Sequence, residues 1–139
     1  MTAKQHLSRY QEINREIDAL VEDCDRLRSL AERVVCGQLD SMPKSANPDP
    51  SAQFTRAIEQ IIAKEAEIDR RIEAMMVVRD EIEVTIETVS DATLRTLLRY
   101  RYICGWTWER IAVEMHYTYQ WVCVLHGRAL QCITVDSNL

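Results

Sequence analysis

Six residues near the C-terminus, Ile111, Ala112, Met115, Tyr117, Val122 and Leu125, have the types and spacing that let two short helices cross closely. Ala112 supplies the small residue where the axes would meet. Ile111 and Met115 lie one before and three after it, Tyr117 falls in the connection, and Val122 and Leu125 face inward from the second helix. This is the spacing of a helix-turn-helix, whose second helix reads base edges in the major groove of DNA. Three packed helices with no DNA role would satisfy the same pattern. His116 stands where such turns commonly place Gly, and His tolerates a left-handed backbone better than most residues.

Other reactive side chains have no productive spacing. His6, His116 and His126 are scattered, and neither His116 with Cys123 nor His126 with Cys132 has metal-ligand spacing, so neither metal nor cofactor is expected. No Gly-rich phosphate loop or nucleophile elbow occurs, and the many Asp and Glu read as solvated helix flanks, so no enzyme is expected. The five cysteines, Cys24, Cys36, Cys104, Cys123 and Cys132, are odd in number and contain no C-x-x-C. The N-terminal stretch MTAKQHLSRYQEINREIDAL has no apolar core of a secretory signal. The expectation is a cytoplasmic protein, with free thiols buried as small apolar side chains. No apolar run approaches the ~18 residues of a membrane span.

Helices must position the six residues. The chain has 139 residues with three Gly and three Pro, and Pro43, Pro48 and Pro50 fall within eight residues of one another. Such scarcity favours helix over a turn-rich β fold. Thr2 and Gln5 form a capping box. Tyr10, Ile13, Ile17, Leu20, Cys24, Leu27, Ala31 and Val34 then follow in alternating steps of three and four, a heptad seam. Gly37 is the expected stop of a helix over about 2–36, ~52 Å long. Residues 37–49 read as loop, with Asp49 capping a second helix that has Pro50 at its first position. Its seam, Phe54, Ile58, Ile61, Glu65, Ile68, Ile72, Met75, Arg79, Ile82, Ile86 and Val89, carries that helix over 50–89. Glu65 and Arg79 either occupy the seam or yield to the neighbouring Ala66 and Val78. An antiparallel hairpin is the simplest layout, and its thin core favours self-association as a homodimer.

Composition changes at Ser90. Seven of the nine aromatics lie beyond Arg99, including Trp106, Trp108 and Trp121. A helix capped by Ser90 runs to about Cys104, with Leu94, Leu97, Leu98 and either Tyr102 or Ile103 inside, and Gly105 ends it. Thr107 caps a short helix, and a last helix runs from about Thr118 to Ile133, with Trp121 packed against the first of the three or free as an anchor. The fold class expected is all-α: a long coiled-coil-like antiparallel hairpin over 1–89, then a three-helix helix-turn-helix domain over 90–135. The formal net charge of −5 argues at first against a phosphate-rich partner. Residues 1–89 hold 12 basic and 18 acidic side chains, however, and residues 90–128 hold 5 basic and 3 acidic, net +2. The acidity belongs to the heptad flanks.

The stretch LLRYRYICGWTWERIAVEMHYTYQWVCVLHGRALQCI resembles sigma-factor region 4, and more closely the phage-encoded regulators of the ArpU and RinA type. The resemblance rests on Leu98–Tyr102, Gly105–Ala112, Tyr117-Thr118 and Leu125–Leu130, within a stretch of about 38 residues. It implies a phage or prophage transcriptional regulator that binds double-stranded DNA at late or structural gene promoters. It places Thr118, Tyr119, Gln120, Cys123, Val124 and Gly127 at base edges. Thr107, Arg110 and Arg128 would lie at phosphates, with Arg99 and Arg101 on the basic rim. RNA polymerase is a further partner it implies. Two other readings share these features: a small-terminase-like packaging component, and a coiled-coil interaction module that binds protein only.

Overall fold

A computed structural model describes residues 1–39 and 50–133. The chain is all-α: the described residues contain helices and no strand. Two long helices, α1 (Ala3–Leu39) and α2 (Pro50–Glu87), precede α3 (Ala92–Leu98), α4 (Trp108–Met115) and α5 (Tyr119–Gln131). A π-helical turn, Arg99–Ile103, extends α3. The capping box forms as expected: the Thr2 N–H donates to Gln5 Oε1 at 2.8 Å and the Gln5 N–H to Thr2 Oγ1 at 3.2 Å. α1 does not stop at Gly37 but runs to Leu39. A glycine inside a helix costs only ~1 kcal/mol, and the next sequence barrier is Pro43. Pro50 opens α2 as expected; its proposed cap Asp49, with the rest of 40–49, lies outside the described residues.

Two compact units divide the chain. One comprises Arg15–Glu73; the other combines Met1–Asn14 with Ala74–Leu139. The boundary at Ser90 marks the end of a helix, not the edge of a packing unit, because residues on both sides of it share one core.

In the Arg15–Glu73 unit, Cys24, Ala31 and Ile61 are buried, with Leu27, Phe54, Ala57, Ile58 and Ile68 packed partly against them. Ion pairs join Arg71 to Glu16 at 2.5 Å, Lys64 to Asp23 at 3.3 Å, and Arg28 to Glu65. The α2 partner falls from Arg71 to the Lys64–Glu65 turn as the α1 partner rises from Glu16 to Asp23 and Arg28, so the two segments run antiparallel. Exposed pairs of this kind contribute ~0–1 kcal/mol each, so they fix register more than stability. Glu65 turns out of the seam to meet Arg28, but Ala66 is exposed too and does not replace it.

The other unit holds the larger core. Leu7, Ile82, Ile86 and Val89 pack with Leu94, Leu97, Leu98, Tyr102, Ile111, Ala112, Val122, Leu125, Ala129 and Ile133. Val78 packs against this core, whereas Arg79 turns to Glu83 at 3.4 Å, so here the apolar neighbour takes the seam.

Local chemistry shapes the short helices. Asp91, not Ser90, caps α3: one carboxylate oxygen accepts from the Thr93 and Leu94 N–H groups at 2.8 and 3.2 Å. A carboxylate can take both bonds, while the Ser90 carbonyl accepts from Arg95 Nη1 at 2.9 Å. The expected single helix to Cys104 instead closes in a π turn, with the Cys104 N–H donating to the Arg99 carbonyl at 2.9 Å. Gly105 follows at φ +72°. Gln11 covers this end, its Nε2 donating to the Tyr102 carbonyl at 2.9 Å. A Cβ at position 105 would lie 3.0 Å from Gln11 Oε1. Gly105→Ala therefore combines a left-handed penalty with displacement of Gln11, and should destabilise the protein by about 1–2 kcal/mol. A urea titration that shows no loss would contradict this.

The cysteine expectation is corrected. Only Cys24 is buried; Cys36, Cys104, Cys123 and Cys132 are free and exposed, Cys36 and Cys123 on outward helix faces and Cys104 and Cys132 just past helix ends. No described helix is long and apolar enough to cross a membrane.

Candidate nucleic-acid interface

α4 and α5 meet through a sharp turn. Thr107 caps α4, its Oγ1 accepting from the Arg110 N–H at 3.2 Å, and Thr118 caps α5 in the same way from the Trp121 N–H at 3.2 Å. Between them His116 adopts φ 59° and ψ 39°. The Tyr117 N–H donates to the Ala112 carbonyl at 2.9 Å and the His116 N–H to the Val113 carbonyl at 3.3 Å, the paired bonds of a Schellman stop. His116 thus fills a left-handed site without glycine.

Of the six residues expected at the crossing, Ile111, Ala112, Val122 and Leu125 are buried and Met115 packs against the same core. Tyr117 is the exception, 39% exposed. It follows the left-handed residue, which turns its side chain out of the angle between the helices. Trp121 is 40% exposed and does not join the core. Trp106 and Trp108 already occupy space around the first helices, and Trp121 carries the Arg128 guanidinium carbon 5.1 Å from its ring centre.

With Val122, Leu125 and Ala129 turned inward, Tyr119, Gln120, Cys123, Val124 and Gly127 lie exposed on the other side of α5, and Thr118, the cap just before it, is exposed as well. The structure thus gathers five of the six expected base-edge residues on one open face, with Thr118 exposed at its N-terminal end. Arg110 and Arg128 are exposed and, among the described residues, neither meets a carboxylate. Arg110 lies 4.0 Å over Trp106, whose ring stacks on Tyr100 at 4.3 Å and 12°. Two groups this close to one ring must take opposite faces, so Trp106 is sandwiched and Arg110 is held in place. Thr107 is exposed at the start of α4. Arg99 and Arg101 are differently placed. Arg99 is engaged by Glu87 and, at 3.7 Å, by Glu83. Arg101 donates to the Trp106 carbonyl at 3.0 Å and lies 4.3 Å over Trp108. Their charge serves intramolecular partners first.

No protein-family model, curated protein or solved structure matches this chain.

One functional tie had no counterpart in the sequence reading. His126 Nε2 lies 2.6 Å from the Tyr102 hydroxyl, and the Trp108 ring packs at 4.5 Å against the imidazole. Desolvation, then Lys4 and Arg101, lowers the His126 pKa to about 4. Burial of Tyr102 pushes its phenol up to about 12, against the opposing Arg101 charge. Both groups are therefore neutral at pH 7 and share one hydrogen bond. That bond links the π turn to the middle of α5 and sets the rotation of the helix. A Tyr and a His 24 residues apart carry no periodic signal that would pair them. Among the described residues, no cluster of three or more His, Cys, Asp or Glu is placed to hold a metal.

Proposed function

We propose that this chain is a DNA-binding transcriptional regulator of phage or prophage, acting at late or structural gene promoters through α4, the His116 turn and α5. The observation that carries the reading is the open face of α5, with five uncharged residues beyond a turn of helix-turn-helix geometry. Arg110 and Arg128, each set over a tryptophan, supply positive charge beside it. Self-association through the long helices would present two such faces to two half-sites. The thin core of the Arg15–Glu73 unit supports that, since Val21, Leu30 and Ile62 stay exposed beside it. The exposed Tyr117 and Trp121 offer a contact for RNA polymerase, and the bacterial cytoplasm is where such a protein would work.

The test is a gel shift at low salt with DNA flanking its own coding sequence, beside a random pool. A shift that salt weakens is expected; no shift with any sequence would sink the reading. Light scattering should give a dimer rather than the large ring of a packaging component. Gln120→Ala should weaken binding to the preferred site by ~1–3 kcal/mol and leave binding to random DNA unchanged. Equal losses on both would show that Gln120 touches no base.

A further inference from the structure

The outward strip of α5 has a chemistry that selects among bases. Tyr119, Gln120, Cys123, Val124 and Gly127 are exposed, and their spacing of one, three, one and three residues makes them a continuous stripe. None is charged. α5 contains no Lys, Asp or Glu, and its one cation, Arg128, rests over Trp121 at the edge of the stripe. In the major groove guanine is read chiefly by Arg or Lys and cytosine by a carboxylate, whereas adenine suits Gln and the thymine methyl suits an apolar group. The stripe has Gln120 for the adenine edge and Cys123 and Val124 for methyl groups. It has none of the charged groups that would mark a G·C pair.

Gly127 points outward in the same sense. A Cβ added there would meet nothing within 4 Å, so no neighbour in the described structure requires glycine. Glycine inside a helix nevertheless costs stability relative to alanine. A residue that costs the free protein and relieves no internal crowding fits a site where something outside approaches the helix backbone closely.

We propose that α5 reads A·T pairs, with Gln120 on adenine, Cys123 and Val124 against thymine methyl groups, and the DNA drawn close at Gly127. This rests on the DNA-binding reading above. The full-length protein is used to select sites from a random duplex pool, and the selected site is then remade with uracil for thymine, which removes only the methyl groups. An A·T core is expected, with binding about tenfold weaker on the uracil duplex, the scale of two buried methyl groups. Val124→Ala should lose much of that sensitivity. Gly127→Ala should melt at a higher temperature yet bind the selected site about tenfold less tightly.

A G·C core, or a uracil duplex bound within about twofold of the thymine one, would overturn the A·T assignment while leaving DNA binding intact. Unchanged affinity in Gly127→Ala would overturn the close approach. Failure to select any sequence would overturn this proposal together with the reading beneath it.

Discussion

Residues 90–139 produced alone should show no cooperative unfolding transition, although they contain α3, α4 and α5 entire. The helix-turn-helix is built on side chains from outside that stretch. Leu7 of α1 and Ile82 and Ile86 of α2 are fully buried in its core, and Val89, just beyond α2, is 1% exposed. Full burial of such a side chain is worth ~1.5–3 kcal/mol, so losing four removes ~6–12 kcal/mol. A typical domain has a total of only ~5–15 kcal/mol. The fragment also loses Gln11, whose amide caps the π turn, and exposes the part of the core that the missing residues covered. Extending the fragment to 74–139 restores Ile82, Ile86 and Val89 and should recover helicity in part. Circular dichroism during heating checks both. A sigmoidal transition of the 90–139 fragment at the temperature of the full chain would show that the core is divided as the composition change at Ser90 suggests.

The second large effect concerns acid. His126 titrates at 6.5 when unfolded and at about 4 in the folded protein, chiefly through burial. Between those values the unfolded chain takes up the proton first. This contribution is therefore constant above about pH 6.5, declines as pH falls through that window, and is fully lost below about pH 4. At 1.36 kcal/mol per unit the shift sets an upper scale near 3 kcal/mol, and solvent at the partly open ring reduces this to about 1–2 kcal/mol. Ion-paired carboxylates lose stabilisation on acidification too, so the informative quantity is the difference between wild type and His126→Phe. Their urea midpoints should converge between pH 7 and pH 4.5, as only the wild type sheds the imidazole contribution. Parallel pH profiles would mean that His126 is not held neutral by the fold. The same variant loses its bond to Tyr102, leaving that hydroxyl buried without its partner at every pH, a cost of about 1–3 kcal/mol. This pH-independent offset separates the two effects in one titration series.

Periodicity made much of the architecture legible. The seam from Tyr10 to Val34 coincides with the turned-in face of α1, although it began one step late and omitted Leu7, now a fully buried residue. The Thr107 cap, the helix start near Thr118, the left-handed His116 and the inward Ile111, Ala112, Val122 and Leu125 were likewise readable, because each depends on a few adjacent positions. The α5 face was legible for the same reason: once Val122 and Leu125 point inward, helical geometry leaves Tyr119, Gln120, Cys123, Val124 and Gly127 outside.

Errors arose where a residue had a choice between partners. Ser90 and Asp91 both had capping side chains, and Asp91 took the role, accepting from both the Thr93 and Leu94 N–H groups. Glu65 left its seam for Arg28, while Arg79 yielded the seam to Val78; each choice depended on the opposing helix or core. Of the two readings of Trp121, packed or free, the exposed one holds. The cysteines followed their local positions, on outward faces or past helix ends, and not the average tendency of their type.

The chain's own sequence therefore determined that it is all-α, where its helices begin and turn, and which residues of the last helix face outward, since these follow from contacts within three or four residues. Only the tertiary structure decided what holds that helix in place: the shared core with Leu7, Ile82 and Ile86, the Gln11 cap on a π turn, and the neutral His126 bound to Tyr102. Those contacts join residues 24 to 91 positions apart, and a partner at that range leaves no trace in local spacing because it is selected by packing in three dimensions.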